Sequence, residues 1–292
     1  MKSLVVAAPA KLNLFLAVTG RRPGGFHELV SVAVPVQFGD TLRVEPAREF
    51  SLACDDASVP VDETNLVLRA ARAFAAATGG GGGAKFFLEK RIPMGAGLGG
   101  GSSDAVAALR ALNALAGGPL PPAALVAVAA QIGSDCALFL HDGPVVMRGR
   151  GEHVEPLAAS ATARLRGHRV LIFKPGFSIA TPWAYAQMLA RSTDYLPAAD
   201  AEARLAAWVG DDRVTAEKLL FNNLESVAFA KFLGLPALLE ELRARFSLAP
   251  RMSGSGSACF ALLAADSPVA AITDAIRAAW GATTFVIETR MA

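Results

Sequence analysis

The 292-residue sequence predicts an α+β fold in two domains. Three observations carry that prediction. Strand and helix patterns alternate along the chain. A glycine-dense stretch, PMGAGLGGGSS at residues 93–103, stands between a strand pattern and a helix pattern. A looser stretch near residues 151–168 reads as a linker, and a second alternation comes after it. The length suits one large domain or two ordinary ones and needs no staples to bury a core.

LVVAAPAKLNLFLAV reads as a long strand, with Leu12, Leu14 and Leu16 on one face and Lys11 and Asn13 on the other. ELVSVAVPVQF and DTLRVEP read as two further strands. NLVLRAARAFAAATG has apolar residues at helical spacing and stops at Gly79. The run Gly79–Gly83 reads as a flexible turn, because no strand-to-helix context surrounds it. AKFFLEKRIP is a strand ending at Pro93. Ser103 or Asp104 is the expected cap of a helix reaching about Ala116, with Val106, Leu109 and Leu112 inward. PPAALVAVAAQIG is a second helix with proline at its start and Gly133 at its end. Beyond the linker come the strand RVLIF, several helices, the strand ACFALLA, the helix SPVAAITDAIRAAWG and the strand TTFVIETR. That order predicts a smaller α+β domain of split β-α-β type.

Composition narrows the function classes. Net charge is +2, with no basic or acidic block, which gives nucleic-acid binding little support. The three cysteines, Cys54, Cys136 and Cys259, are scattered, as suits a reducing compartment. The four histidines have no metal-ligand spacing. Mean hydropathy is positive, but no apolar run reaches the roughly 18 residues of a membrane span. A cytoplasmic protein is expected.

Five glycines between Gly95 and Gly101 cost conformational entropy, and the usual return is close approach of backbone N–H groups to an anion. Strand, glycine loop, helix is the arrangement that aims those groups and the helix dipole at phosphate. A Walker A loop is excluded, since no lysine precedes Ser102 or Ser103. Gly95, Gly97 and Gly100 match G-x-G-x-x-G, but the acidic residue a dinucleotide fold wants about 20 positions on is absent. The motifs of protein kinases do not appear downstream. A tight turn with glycines for packing is the structural alternative, and it does not need five of them.

PMGAGLGGGSSDAVAAL resembles the phosphate-binding motif of the GHMP kinases, the superfamily of galactokinase, homoserine kinase, mevalonate kinase and phosphomevalonate kinase. APAKLNLFLAVTGRRPGGFHEL is similar to the first motif of that superfamily, and RMSGSGSACFALL to the third, a second glycine loop before a strand. PAKLNLFL, GFHEL, GLGGGSSDA, IGSDCALF and PGFSIATPWAY together most resemble the branch acting on 4-diphosphocytidyl-2-C-methyl-D-erythritol in non-mevalonate isoprenoid synthesis. The resemblance implies an N-terminal ribosomal-protein-S5-domain-2-like domain over residues 1–158. A C-terminal ferredoxin-like split β-α-β domain over 159–292 would complete the substrate cleft. It implies phosphorylation of the 2-hydroxyl of that compound, with ATP as co-substrate and Mg²⁺.

The resemblance also implies roles for particular residues. Asp135, in GSD, would be the catalytic base and Lys11 its neighbour; a carboxylate can take the proton of the attacking hydroxyl, and an ammonium keeps it ionised. On the residues alone, Asp135 reads as a helix-end cap and Lys11 as a solvated strand edge. Pro93, Met94, Gly95, Ala96, Gly97, Leu98, Gly99, Gly100, Gly101, Ser102 and Ser103 would hold the nucleotide phosphates. The serine hydroxyls serve phosphate, Mg²⁺ or helix capping. Asn65, Leu66 and Lys90 match positions lining the adenine pocket; a helix cap, a core leucine and a surface lysine are their structural alternatives. Asn13 shares the strand face of Lys11 and would reach the same substrate. Phe26 and Tyr185 would hold the cytosine ring between two rings, Phe26 standing where relatives commonly have tyrosine. His27 would read the polar edge of the base, and Thr181, in the same TPWAY segment as Tyr185, would also bind the substrate. No protein metal ligand is evident. Partners expected are a small molecule with a cytidine diphosphate group and neither nucleic acid nor membrane, the chain being a monomer or weak homodimer. Two rivals stay open: a kinase of the same superfamily for homoserine or mevalonate, and a non-catalytic sensor that keeps the fold.

Overall fold

A computed structural model describes residues 3–22, 25–80 and 82–292. Gly81, in the middle of the five-glycine run, and Pro23 and Gly24, just before Phe26, lie outside the described residues. The chain divides into two compact units, and neither is one run of sequence. The first takes the segment ending at Ala10 together with Phe38–Met94 and Gly99–Asp142; the second takes Lys11–Gln37, Gly95–Leu98 and Gly143–Ala292. The interleaving arises because strands β1 (Leu4–Arg21) and β2 (His27–Ala47) are long enough to run through both.

In the first unit the second half of β2 leads to β3 (Ser51–Cys54), helix α1 (Leu66–Thr78), β4 (Gly83–Glu89), α2 (Gly100–Leu115) and α3 (Pro122–Ile132). The strand order is β3-β4-β2. β2 runs antiparallel to β4 from Thr41 opposite Glu89 to Ala47 opposite Gly83. Alternation puts Leu42, Val44, Phe86 and Leu88 inside. The helices cover that face with stripes at helical spacing: Val67, Leu68, Ala71 and Phe74 on α1, and Val106, Leu109 and Leu112 on α2.

Three boundaries differ from the sequence-based expectation. β2 is one strand where two were expected. Gly39 does not break it; a Cβ there would collide with the Ala8 backbone, so glycine serves close approach rather than a turn. β4 stops at Glu89 instead of Pro93, because the N–H groups of Arg91 and Ile92 turn to the Asp40 carboxylate at 2.6 and 2.7 Å. α2 begins at Gly100, three residues before the expected cap at Ser103. Gly99 caps it in the left-handed region at φ +75° with no side-chain bond, and Asp104 is turned inward.

In the second unit the elements run in the order β5 (Val145–Gly149), β6 (His153–Pro156), α4 (Ala159–Leu165), β7 (Arg169–Lys174), α5 (Thr181–Leu189), α6 (Ala198–Gly210), β8 (Phe221–Asn222), α7 (Glu225–Lys231), α8 (Gly234–Phe246), β9 (Arg251–Met252), β10 (Cys259–Leu262), α9 (Val269–Trp280) and β11 (Phe285–Arg290). The stretch 151–168 is therefore no linker. It carries β6, paired antiparallel to β5, and α4, whose Ala161 and Leu165 are fully buried. β1 pairs in parallel with β8, and the first half of β2 antiparallel with β5. A second sheet has the order β11-β7-β10-β9. Both β10 and β11 run antiparallel to β7, so they are parallel to each other with β7 between them and α9 as the crossover. This is the split β-α-β unit the sequence predicts. Its core is Phe173, Phe260, Ile172, Ile272 and Ile276.

Candidate active site

The glycine loop has the backbone its composition suggests. Gly95, Gly97 and Gly99 all have positive φ, at +60°, +77° and +75°, where side chains with a Cβ are strained. Helix α2 starts at Gly100, and the N–H groups of a first helical turn have no intrahelical acceptor. No side chain caps them and no acid stands in the first turn to offset the positive end of the helix dipole. Ser103 Oγ, in the same turn, is buried without a hydrogen-bond partner. Ser102 bonds toward the Cys136 thiol, whose pKa burial pushes up to about 11, leaving that thiol unreactive.

In the second unit the loop leans on the third motif. Ala258 N–H donates to Ala96 O at 3.0 Å, and Ser253 Oγ to Gly97 O at 3.2 Å. A Cβ on Gly97 would collide with the Ser253 carbonyl and lie 3.0 Å from Gly256 N. Only glycine allows that approach. Gly95 is likewise crowded, with Ser178 Oγ 2.8 Å from its would-be Cβ.

Lys11 is buried on β1, not a solvated strand edge. Its backbone N–H donates to Leu98 O at 2.9 Å, and its ammonium donates to Gly97 O at 2.8 Å and Asn13 Oδ1 at 2.6 Å. Asn13 Nδ2 donates in turn to Ser31 Oγ at 2.8 Å, which donates to Phe15 O at 2.7 Å. This chain fixes the amide with its oxygen on the lysine. A Cβ on Gly254 would lie 3.3 Å from both Lys11 Nζ and Asn13 Oδ1. The second unit thus brings Lys11, Asn13, the middle of the glycine loop and the third motif together.

In the first unit, Asn65 caps α1 by accepting from Val67 N–H at 2.9 Å, and Leu66 opens that helix. A Cβ on Gly101 would meet Leu66 Cδ1 at 3.5 Å, so Leu66 stands beside the start of α2. Lys90 is not a surface lysine. Its ammonium is buried and donates to Asp104 Oδ2 at 2.7 Å and to Asp40. Asp135 sits half-buried in the turn after α3, where Cys136 N–H donates to Gly133 O at 3.1 Å. Arg110 holds the next turn through the Phe139 and Leu140 carbonyls.

The aromatic residues arrange themselves differently from a simple pair. His27 is buried with its ring centroid 5.2 Å from that of Tyr185, and the ring of Tyr195 meets it edge-on at 6.0 Å. Phe26 is 55% exposed, and the Arg150 guanidinium lies over its face at 4.7 Å. His27 Nε2 is buried with no partner, and burial, helped by nearby Arg21, lowers the pKa of this histidine. It is therefore neutral at pH 7, with one ring nitrogen a donor and the other an acceptor. Thr181 Oγ1 lies 2.8 Å from Ser255 Oγ, tying the start of α5 to the third motif.

Comparison with known proteins settles the family. The GHMP kinases N terminal domain matches residues 65–143, and the GHMP kinases C terminal domain matches 205–282. A 4-diphosphocytidyl-2-C-methyl-D-erythritol kinase from Synechococcus elongatus is 38% identical, covering 93% of this chain and 89% of that protein. One from Cereibacter sphaeroides is 40% identical, with 93% and 94% covered. The crystal structure of a 4-(cytidine 5'-diphospho)-2C-methyl-D-erythritol kinase superposes with a TM-score of 0.78 at 37% identity, covering 99% of this chain and all of that one. This chain belongs to the 4-diphosphocytidyl-2-C-methyl-D-erythritol kinase family. It has the two-domain GHMP kinase fold. Among the described residues no helix is long and apolar enough to cross a membrane, and no group of three His, Cys, Asp or Glu could hold a metal ion.

Sequence reasoning left out several residues of this GHMP kinase site. Ser253, Ser255 and Ser257 were visible only as members of a motif; their hydroxyls brace the glycine loop, Thr181 and the Phe177 carbonyl. Ser31 and Tyr195 had no local signal, since each acts on a residue far along the chain. Asp104 was expected only as a helix cap, and Asp40 carried no signal beyond its place at the head of DTLRVEP. The local signal for a buried partner was Lys90 itself, which alternates with the apolar Leu88 and Ile92 and needs an anion if it turns inward.

Proposed function

We propose that the protein transfers the γ-phosphoryl group of ATP to the 2-hydroxyl of 4-diphosphocytidyl-2-C-methyl-D-erythritol, giving the 2-phosphate and ADP. The observation that carries the reading is the buried Lys11 ammonium bonded to the Gly97 carbonyl, inside the loop whose free N–H groups suit phosphate. In this reading residues 93–103 take the triphosphate on backbone N–H groups and the α2 dipole. Asn65, Leu66 and Lys90 flank the nucleotide's adenine end. Asp135 accepts the proton of the attacking hydroxyl, and Lys11 stabilises the charge that develops as the phosphoryl group moves. Asn13 orients the acceptor beside Lys11.

The orphaned Ser103 hydroxyl fits a ligand to the nucleotide's phosphates or to the Mg²⁺ that travels with them. Bound Mg²⁺ would neutralise phosphate charge. With no acidic cluster of three among the described residues, the ion would be held largely by the nucleotide and by hydroxyls such as those of Ser102 and Ser103.

The cytosine is read by His27, whose neutral ring offers a donor and an acceptor to the edge of the base. Tyr185 supplies a stacking face, Thr181 a hydroxyl, and Phe26, with its Arg150 lid, a second exposed ring. The test is ADP release with ATP and Mg²⁺ against four acceptors: the cytidine compound, its uridine analogue, homoserine and mevalonate. Turnover preferring the cytidine compound supports the reading. Preference for homoserine or mevalonate, or no ADP release with any of the four, overturns it.

A further inference from the structure

We propose that Asp40, Lys90 and Asp104 form a positioning cluster that holds both ends of the glycine loop in register for a nucleoside triphosphate. The proposal rests on the reading that residues 93–103 bind ATP.

The cluster lies wholly in the first unit. Asp40, fully buried, accepts from the N–H groups of Arg91 and Ile92, the two residues that lead into the loop. Lys90 links that carboxylate to Asp104, which lies just past the first turn of α2, behind the loop's exit. The entry and the exit of the loop are therefore bonded to one ammonium. Gly100, first residue of α2, sits directly over it: a Cβ there would be 3.0 Å from Lys90 Nζ and 3.0 Å from Ile92 Cγ2. One glycine of the motif is thus explained by the lysine beneath it rather than by phosphate above it.

The charges explain why the arrangement is specific. One ammonium faces two buried carboxylates, so the pair cannot be satisfied by solvent, and removing any member strands another. Burial pushes the Asp104 carboxyl up to about 7, Asp40 adding to the rise and Lys90 opposing it. Burial also works against the Lys90 charge, but the two carboxylates outweigh it and its pKa is raised. Asp104 Oδ1 has no partner, which leaves this carboxylate able to hold a proton on that oxygen while Oδ2 keeps its bond to Lys90. An apolar core would hold a strand and a helix together equally well. It would not fix the direction of the N–H groups at residues 91–92 and the first turn of α2 relative to each other, which the directional bonds do.

The test uses the full chain with Asp40→Asn, Asp104→Asn and Lys90→Arg. Each keeps nearly the volume and changes the charge or the fork geometry. ATP affinity is read by calorimetry, KM for ATP and for the acceptor by steady-state turnover, and folding by Tm. Asp40→Asn is expected to weaken ATP binding at least tenfold and Asp104→Asn several-fold, with the acceptor KM moving less than twofold. Asp40→Asn failing to fold shifts the decision to Asp104→Asn, for which the several-fold loss of ATP affinity is then the deciding result. A folded variant that loses Tm but keeps the ATP-to-acceptor KM ratio of the wild type makes the cluster mere core packing and overturns the proposal. Wild-type protein that binds no ATP removes the reading of the loop itself; wild-type binding with variants within twofold removes only the cluster.

Discussion

Two loops rich in glycine and serine are built in opposite ways. PMGAGLGGGSS leaves its N–H groups at the start of a helix, with Gly101 exposed and Ser102 half-buried. SGSGS, residues 253–257, is buried throughout, and its three hydroxyls are spent on Gly97 O, Thr181 and Phe177 O. Both need positive φ, at Gly95, Gly97 and Gly99 in one and Gly254 and Gly256 in the other. The difference lies in the element each loop leads into. A helix N-terminus offers unpaired donors, whereas β10 pairs on both sides, with β7 and β9. The second loop and the strand it leads into brace the middle of the first, where Ser253 Oγ donates to Gly97 O and Ala258 N–H to Ala96 O.

The sharpest way to separate binding by the loop from chemistry elsewhere is Asp135→Asn. It keeps size and removes proton acceptance, so kcat is expected to fall on the order of 10²- to 10⁴-fold with ATP affinity nearly unchanged. Turnover within about threefold of wild type would take Asp135 out of the mechanism. Next comes Gly97→Val against Gly101→Ala. The first puts a branched side chain at positive φ against Ser253 and Gly256, and ATP binding measured by calorimetry should be lost. The second meets only Leu66 at 3.5 Å and should leave Tm within a degree or two of the wild type. Equal behaviour of the two would mean that the loops do not depend on close packing.

Tyr185→Ala tests the region outside both loops. Stacking on a base is worth about 1–3 kcal/mol, so KM for the cytidine acceptor should rise roughly 5- to 150-fold, with little change for ATP. A larger change in ATP KM than in acceptor KM would refute the assignment. Asp104→Asn sharpens the loop's flank through pH. The carboxyl is raised to about 7 by burial, so its contribution to stability is present below about pH 4 and lost as pH rises through 7. Tm of the variant relative to wild type should therefore climb between pH 5 and pH 8; a flat difference would contradict the raised pKa. The smallest effect is expected from Ser253→Ala, which removes the bond to Gly97 O and the acceptor of Asn13 N–H. About 1–2 kcal/mol of stability should go, read by denaturant unfolding, with kcat reduced only modestly.

Periodicity in the sequence was enough for α1, α3, α9, β7, β10 and β11, because each is a local pattern with its own punctuation: Asn65 and Gly79 around α1, proline and Gly133 around α3. The glycine loop was legible for the same reason, since positive φ and bare backbone are demands a single residue type meets. What local pattern could not supply were features decided by distant chain. Gly39 reads as a break until the Ala8 backbone fills the space beside it. SSD at residues 102–104 reads as a helix cap until Lys90 draws Asp104 inward. Residues 151–168 read as a linker because β6 and α4 are too short to show a period.

By itself, then, the sequence determined the order of strands and helices, the place of the glycine loop and the family, all of which depend on residues close together or on motifs kept intact. Tertiary structure alone decided that Lys11 is buried on the loop's carbonyl, that Tyr195 joins Tyr185 on His27, and that one ammonium serves both Asp40 and Asp104. The physical reason is range. Backbone preference is set within a few residues, whereas burying a charge requires a partner, and the fold can bring that partner from 50 positions away.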